Sequence, residues 1–387
     1  MPVRPAAADT LLIDAKALGP LIAEHRDAIE RDRGMPLPIV HAMQDIGIIR
    51  MSVPRCYGGF ELDPQVQFAI LEALSMADAS VGWCAFIGGG AGYFSAFLDE
   101  AVAREVLADP DAITAGALRP AGRAEAVPGG YRVSGRWPFA SGARHSAWMF
   151  AGCMVYEGGE PRRGAQGRPA SLVCVLPAQD CSLIDTLFST GLHGSGSIDF
   201  SVENAFVPES RTFSLADSPI RLPGPLYRLR TMFIAYHSAV ILGLARAAID
   251  AVLGLAAGKT RVTGTGLRDE PYAQASIGRA EALVSSARAY CLAVLGDIMA
   301  TTRAGNEPSL RQRADLRLSV FNAHAAAVEA VNLMYHVGGG TSAYAASPLD
   351  RLLRDAHTIN QHLVAAPKWP ETAGRVFLGL DSGVPLL

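Results

Sequence analysis

The hydrophobic pattern of this 387-residue chain changes period twice, and that double change limits the folds open to it. From residue 10 to about 115, apolar residues recur at helical spacing. Asp63-Pro64 is a start signal, an N-cap followed by proline at the first helical position, and Val66, Ile70, Leu74 and Ala77 then mark one face. Asp99 opens a further helix that Asp109-Pro110 closes. From 116 to about 218 the period shortens. Ser146 to Val155, Ser171 to Leu176, Ser182 to Leu187 and Ile198 to Val207 are short apolar or alternating runs, broken by Gly, Pro and polar residues, as in a small β-barrel or sandwich. Glu157 to Pro169 is rich in glycine and arginine, has no period, and reads as a mobile surface loop. From about 226 the chain is helical again in four long pieces, roughly 226–257, 270–304, 308–337 and 348–378. The expected class is α+β: an N-terminal helical domain (1–115), a central β domain (116–220) and a C-terminal four-helix bundle (221–387).

In the third bundle piece Leu316, Val320, Ala323, Ala327, Val331 and Met334 recur at steps of four and three, the stripe a bundle helix needs. Between Ser319 and Val337 the only formally charged residue is Glu329, so this helix is expected to be covered on more than one side, by an oligomer as well as by the bundle. Val81 to Leu98 is uncharged for 18 residues, but its five glycines and lack of basic flanks predict a buried helix or helix-turn and not a membrane span. A net charge of −3 with 18% charged residues provides no broad basic surface for nucleic acid, which leaves a small molecule or a protein as partner. The six cysteines contain no Cys-x-x-Cys pair and the amino terminus has no apolar signal core; a reduced cytoplasm is the expected home.

Pro128-Gly129-Gly130 is a turn, and Tyr131, Val133 and Gly135 alternate with Arg132, Ser134 and Arg136 as a half-exposed strand should. The pattern then breaks at Trp137, Phe139 and Ser141, an aromatic wall with one hydroxyl, followed by Gly142, which lets the backbone turn sharply or come close to something flat. By itself the segment is equally a strand end with a turn serine. Gly-Arg-Trp-x-Phe-x-Ser-Gly after Gly-Gly-Tyr resembles the central motif of flavin-dependent monooxygenases built on the acyl-CoA dehydrogenase fold. Gly191-Leu192-His193-Gly194-Ser195-Gly196-Ser197 before Val207-Pro208-Glu209, and Gly338-Gly339 before Pro348-Leu349-Asp350-Arg351-Leu352-Leu353-Arg354-Asp355, resemble two further signatures of that superfamily.

The resemblance covers nearly the whole chain and implies the oxygenase component of a two-component monooxygenase. Reduced FMN or FAD would react with O2 to a C4a-hydroperoxide that oxidises a small aromatic, amine or sulfur compound. No Gly-x-Gly-x-x-Gly nicotinamide motif is apparent, so a separate NAD(P)H-dependent reductase would supply the flavin. Ser141 and His362 would be catalytic, and Trp137, Phe139, Ser141, Gly142, Ser195 and Ser197 would bind the flavin. Arg261, with Lys259 beside it, would reach the flavin phosphate of a neighbouring subunit in a homotetramer, and Gly338 and Gly339 would approach the cofactor there. Trp83, Phe233, Tyr236 and His237 would line the substrate cavity. Ala91 stands where such hydroxylases often carry histidine, which argues against a simple phenolic substrate.

The acyl-CoA dehydrogenases place a catalytic glutamate eight residues after the Arg-Asp aspartate; here that position is Leu363. Some supply it from the first bundle helix, yet Ser218 to Ile249 contains no Asp or Glu. A dehydrogenase or oxidase with a displaced base and a non-catalytic ligand-binding relative are the alternatives. His145 and His193 read as structural, and His357 and His362, five apart, lack the one-turn spacing of a helical metal pair, so no metal is expected.

Overall fold

The computed structural model describes residues 8–164, 167–186, 188–262 and 264–387. The amino-terminal segment, Leu187, and part of the 157–169 loop therefore lie outside the described residues. The first domain is a set of helices: α1 Ala8–Ala17, α2 Gly19–Glu24, α3 Arg26–Asp32, α4 Leu37–Asp45, α5 Pro64–Ala77, α6 Ala79–Gly88, α7 Ala91–Phe94 and α8 Glu100–Val106. Asp63 caps α5 as its sequence predicts, its carboxylate accepting from Gln65 N at 2.9 Å. The uncharged stretch from Val81 folds as α6, α7 and a 3-10 turn, Ser95–Phe97, nearly all of it buried.

The central domain contains β1 Ile113–Val127, β2 Gly130–Ala140, β3 Ser146–Glu157, β4 Glu160–Pro161, β5 Ser171–Pro177, β6 Ser182–Ile184, β7 Ile198–Pro208 and β8 Thr212–Phe213. They form one sheet in the order β6-β7-β2-β1-β3-β5-β8, with β4 on β3. The β1–β3 pair is parallel and the others are antiparallel. Alternation divides the faces: Met149, Ala151, Cys153, Leu172, Cys174 and Leu176 join a core internal to the sheet, while Phe150, Val173 and Val175 join the helical core.

Two features of the sheet differ from expectation. The segment 113–127 carries no strand pattern, yet it is the longest strand. Its small residues are required by what lies across from them: a Cβ on Gly116 would meet Phe150 O at 2.1 Å, and one on Gly122 would meet Trp137 Cζ2 at 2.1 Å. The strand around Trp137 also does not stop there. It runs to Ala140 with a register shift between Trp137 and Ala140, and Phe139 within that shift has φ +65°. The irregularity turns the Phe139 ring outward, 64% exposed.

The bundle contains α9 Tyr236–Ala256, α10 Pro271–Arg303, α11 Leu310–Gly338, α12 Pro348–Ile359 and α13 Lys368–Phe377. α11 opens on a reciprocal cap, Ser309 Oγ accepting from Gln312 N and Gln312 Oε1 accepting from Ser309 N. The first expected helix starts ten residues late, after two 3-10 segments, Pro225–Tyr227 and Met232–Ala235. The last expected helix is two helices. α12 ends at Ile359, and Pro367 delays the restart, so His362 lies in extended backbone between them. By length and composition Met232–Ala256 and Pro271–Arg303 could each cross a membrane; α9 is instead covered by α5, α10, α11 and α12.

Gly122→Ala is expected to destabilise the protein by about 1–3 kcal/mol, because the indole of Trp137 is locked in place and cannot yield. Gly254→Ala, on a face of α9 with nothing within 4 Å, should instead stabilise by about 0.5–1 kcal/mol. Urea unfolding midpoints of the two variants check the contrast.

Candidate functional site

Three hydroxyls meet where the β domain touches α6. Ser141 follows β2 directly, and Gly142 beside it takes φ +72°, which lets the chain turn back and its N–H donate to Ser195 O at 2.9 Å. Ser141 Oγ lies 2.7 Å from Ser197 Oγ, and Ser197 Oγ lies 2.8 Å from Ser195 Oγ. The indole N–H of Trp83, on α6, donates to Ser141 Oγ at 2.9 Å. Ser141, Ser195 and Trp83 are buried, and Ser197 is partly open.

Behind this cluster stand rings. The Trp83 centroid is 5.2 Å from His237 and 5.7 Å from His362, and the two imidazoles stack at 4.4 Å. Phe86 packs edge-on to His237 at 4.8 Å and lies 6.0 Å from Tyr236. Tyr236 shares a hydrogen bond with Tyr93, whose hydroxyl also reaches Gln67. His362 caps the turn Leu363–Ala365, its Nδ1 accepting from Val364 N at 3.4 Å. Phe233 is half-buried beside Ile234, Val320 and Val364, with its ring 5.3 Å from Phe94.

The imidazoles are held neutral. Burial pulls His362 down to about 4, a pull weakened by its opening to solvent. Burial lowers His237 well below the usual histidine range, and the neighbouring His362, His324 and Arg317 push the same way. His324, on α11, is buried, and burial with the neighbouring His362 takes it down to about 3 against a smaller opposing pull from Asn360, too loosely placed to make a full hydrogen bond.

A second cluster closes the carboxyl end of α11. Lys259 Nζ donates to Gly338 O and to Thr341 Oγ1, both at 2.5 Å. Arg261 donates to Val337 O at 3.0 Å and to the Glu270 carboxylate at 3.1 Å. A Cβ on Gly339 would meet Arg261 Nη1 at 2.7 Å, so the glycine is what admits the guanidinium. Both cations thus cover the helix's terminal carbonyls.

Of the residues singled out in the sequence, Ser141, Ser195, Ser197, Gly142, Trp83, Tyr236, His237 and His362 come together, with Phe233 at the edge. Arg261, Lys259, Gly338 and Gly339 form the second group. Trp137 requires a correction: it is fully buried in the sheet core, stacked on Phe200 at 4.9 Å with its N–H on Gly152 O, and so cannot present a wall to a ligand beside Ser141. Phe139, two residues on, is the exposed ring. Ala91 is buried within α7. His145 bonds Met35 O, His193 bonds Ser189 O and faces Glu30, and His357 bonds Asn332, each a structural contact. Among the described residues no group of three or more His, Cys, Asp or Glu could hold a metal.

Sequence reasoning missed His324 and Phe86. For His324 a signal existed, because it is four residues after Val320 on the apolar stripe of α11 and hence on a buried face.

The family model "Acyl-CoA dehydrogenase, N-terminal domain" matches residues 16–109, and "Acyl-CoA dehydrogenase, C-terminal domain" matches residues 235–367. The indole-3-acetate monooxygenase of Pseudomonas putida is 33% identical over 353 residues, 90% of this chain and 89% of that one. The oxygenase subunit HsaA of a flavin-dependent monooxygenase from Mycobacterium tuberculosis is 28% identical over 391 residues, 98% of this chain and 96% of its own. A crystal structure of the HsaA monooxygenase from that organism matches with a TM-score of 0.91 at 27% identity, covering 99% of this chain and 100% of the other. XiaF from Streptomyces sp., solved in complex with FADH2 and glycerol, matches with a TM-score of 0.90 at 25% identity and 98% coverage of each chain.

His324 should make the fold acid-sensitive. Its folded pKa lies below the unfolded value, so the unfolded chain binds the proton more readily and stability falls as pH drops from about 6.5 towards 3. His324→Leu should flatten the decline in thermal midpoint between pH 7 and 4. Parallel curves for variant and wild type would remove His324 as its cause.

Proposed function

This chain belongs to the acyl-CoA dehydrogenase family, and from that premise we propose that it is the oxygenase component of a two-component flavin-dependent monooxygenase. The observation that carries the reading is the hydroxyl cluster at Ser141, set against a stack of neutral imidazoles where a dehydrogenase would need a carboxylate. Leu363, at the expected glutamate position, is 62% exposed and cannot take a proton. The buried carboxylates nearby, Asp78 and Asp355, are already engaged by backbone N–H groups of Ser80, Val81 and Leu192.

The residues present fit a reduced flavin. Reduced FMN or FAD, when bound, supplies the two electrons that activate O2, so that one oxygen atom enters the substrate and the other leaves as water. Three hydroxyls carry three protons and share two hydrogen bonds, which leaves one proton to offer. Ser195 Oγ also faces Ser197 N at 3.4 Å. With Ser195 donating to Ser197 and Ser197 to Ser141, and with the Trp83 N–H fixed on the Ser141 oxygen, the free proton is that of Ser141. It would be offered to a ring nitrogen of the cofactor. His362, neutral at pH 7 and open to solvent, has its Nδ1 engaged by Val364 N and so carries its proton on Nε2, from which it can donate to the reacting oxygen.

Trp83, Phe86 and Tyr236 keep water from the inner side, which limits loss of the electrons to free hydrogen peroxide. Phe139, exposed next to Ser141, would lie on the cofactor. Trp83, Phe233, Tyr236 and His237 bound the substrate, which is a small organic molecule carrying an oxidisable aromatic carbon, nitrogen or sulfur. Lys259 and Arg261 would meet the flavin phosphate of a neighbouring subunit in a homotetramer. A separate NAD(P)H-dependent reductase delivers the reduced flavin, consistent with a relative named as an oxygenase subunit.

Ser141→Ala and His362→Ala should fold normally, bind reduced flavin, and release hydrogen peroxide in oxygenated buffer faster than wild type by about five- to a hundredfold. That range corresponds to losing one hydrogen bond of roughly 1–3 kcal/mol. Peroxide release per flavin-loaded protein, measured without substrate, is the readout. Wild-type rates in both variants would mean that neither residue holds the reacting group.

A further inference from the structure

Beneath the serine loop lies a buried charge arrangement that the chemistry above does not use. Asp78 and Asp355 are 4% and 2% exposed, and both feel the buried guanidinium of Arg351, whose Nη2 lies 3.4 Å from Asp78 Oδ2 and whose Nη1 has no partner. Two carboxylates with one loosely placed cation cost stability that an apolar pair would not. Burial, with Asp78 as the next contributor, pushes Asp355 up to about 7. Such a costly group calls for a reason, and its contacts provide one.

Asp355 Oδ1 accepts from Leu192 N at 2.5 Å. Leu192 is a non-glycine residue in the left-handed region, φ 57° and ψ 36°, a conformation that costs energy unless something fixes it. From there the chain is set in sequence. Leu192 O accepts from Ser195 N at 3.1 Å, Ser195 O accepts from Gly142 N at 2.9 Å, and the Ser195 hydroxyl bonds that of Ser197, which bonds Ser141. The backbone of α12 lies directly against the loop: a Cβ on Gly191 would meet Arg354 O at 2.4 Å, and Arg354 Nη1 donates to Thr190 O at 2.8 Å. Asp78 performs the matching task on the other side. It caps α6 through Ser80 N and Val81 N, one turn before the Trp83 that bonds Ser141.

We infer that Asp355 is a positioning residue for Ser141, holding Leu192 in its left-handed conformation so that the 192–197 loop presents its hydroxyls to Ser141. The inference rests on the proposed role of Ser141. It concerns the carboxylate as a hydrogen-bond acceptor for one backbone N–H, and not as an ion-pair partner of Arg351.

The test uses the full-length protein and three variants: Asp355→Leu, which removes the acceptor; Asp355→Asn, which keeps an acceptor oxygen without the charge; and Asp355→Leu combined with Ser141→Ala. Hydrogen exchange read by mass spectrometry should be about tenfold or more faster across 189–197 in Asp355→Leu, with peptides from α9 and β3 unchanged. Asp355→Asn should restore protection towards wild type. Peroxide release from the reduced-flavin-loaded protein should rise in Asp355→Leu as it does in Ser141→Ala, and the double variant should be no leakier than the worse single one, because both changes remove the same interaction.

Unchanged exchange over 189–197 in Asp355→Leu overturns the inference whatever the reaction is. Should Asp355→Leu fail to fold, Asp355→Asn decides: protected 189–197 supports the acceptor role, and lost protection in a folded protein shows that charge holds the loop and overturns it. Normal peroxide release in Asp355→Leu alone overturns this inference only. Normal release in Ser141→Ala as well overturns the reading of Ser141, and with it this inference.

Discussion

The hydrogen bond from Trp83 Nε1 to Ser141 Oγ, 2.9 Å long, ties the helical domain to the end of β2 and sets how the two meet at the site. Both groups are buried, so leaving either unpaired would cost about 1–3 kcal/mol, more than the bond itself contributes net. The constraint therefore works by exclusion. Any displacement of α6 along the sheet orphans an indole N–H, and any displacement of the serine loop orphans a hydroxyl. Four segments of distant sequence, around residues 83, 141, 195 and 362, are brought to one place by this bond, by the chain of serine hydroxyls and by the ring contact of Trp83 with His362.

The bundle adds the complementary condition. α9 is buried along most of its length and carries no carboxylate before Asp250, and α11 presents His324 and Arg317 to the same interior. Burial dominates the titration of His237, His324 and His362, all of which move towards the neutral form. The carboxylates that are buried nearby sit under the loop and under α6, where backbone N–H groups consume them. In the proposed reading the acidic groups build the frame, and His237 and His362 stand on the side of the site.

How much of this was legible in the residues follows from how local each signal is. Asp63-Pro64 specifies a helix start within two residues and was readable, as was the buried run from Val81, whereas only the family resemblance, by assigning Ser141, Ser195 and Ser197 to one cofactor, pointed to their meeting. β1 was not readable, because its alanines and glycines are chosen to clear Trp137 and Phe150, which are far away in sequence. Trp137 misled for a different reason: it has the parity of Tyr131 and Val133, the apolar face that becomes the sheet core, and reading it with Phe139 as one aromatic wall overrode that parity. The break between α12 and α13 was hidden because helical apolar spacing resumes beyond it, with Pro367 the one local sign. His324 is invisible to motif reading and evident to periodicity, since a histidine on the buried stripe of a helix must either find a partner or go without.

That break carries a consequence for the branch of chemistry. In a continuous helix, residue 362 would be fixed by hydrogen bonds to the turn before it, and its side chain would follow the helical face of Ile359 and Leu363. In the extended backbone between α12 and α13, its ring instead lies against His237 and Trp83 while Leu363 turns outward, 62% exposed. The same interruption thus brings an imidazole to the site and takes the next position, the one a dehydrogenase would use for its carboxylate, away from it. An enzyme that must remove a proton from carbon needs a strong base at that position. One that must hold a reduced ring and oxygen without losing electrons to water needs neutral donors and acceptors with fixed geometry. In the proposed reading the hydroxyl chain and the stacked imidazoles are of the second kind, and the helix break is the structural feature that separates the two.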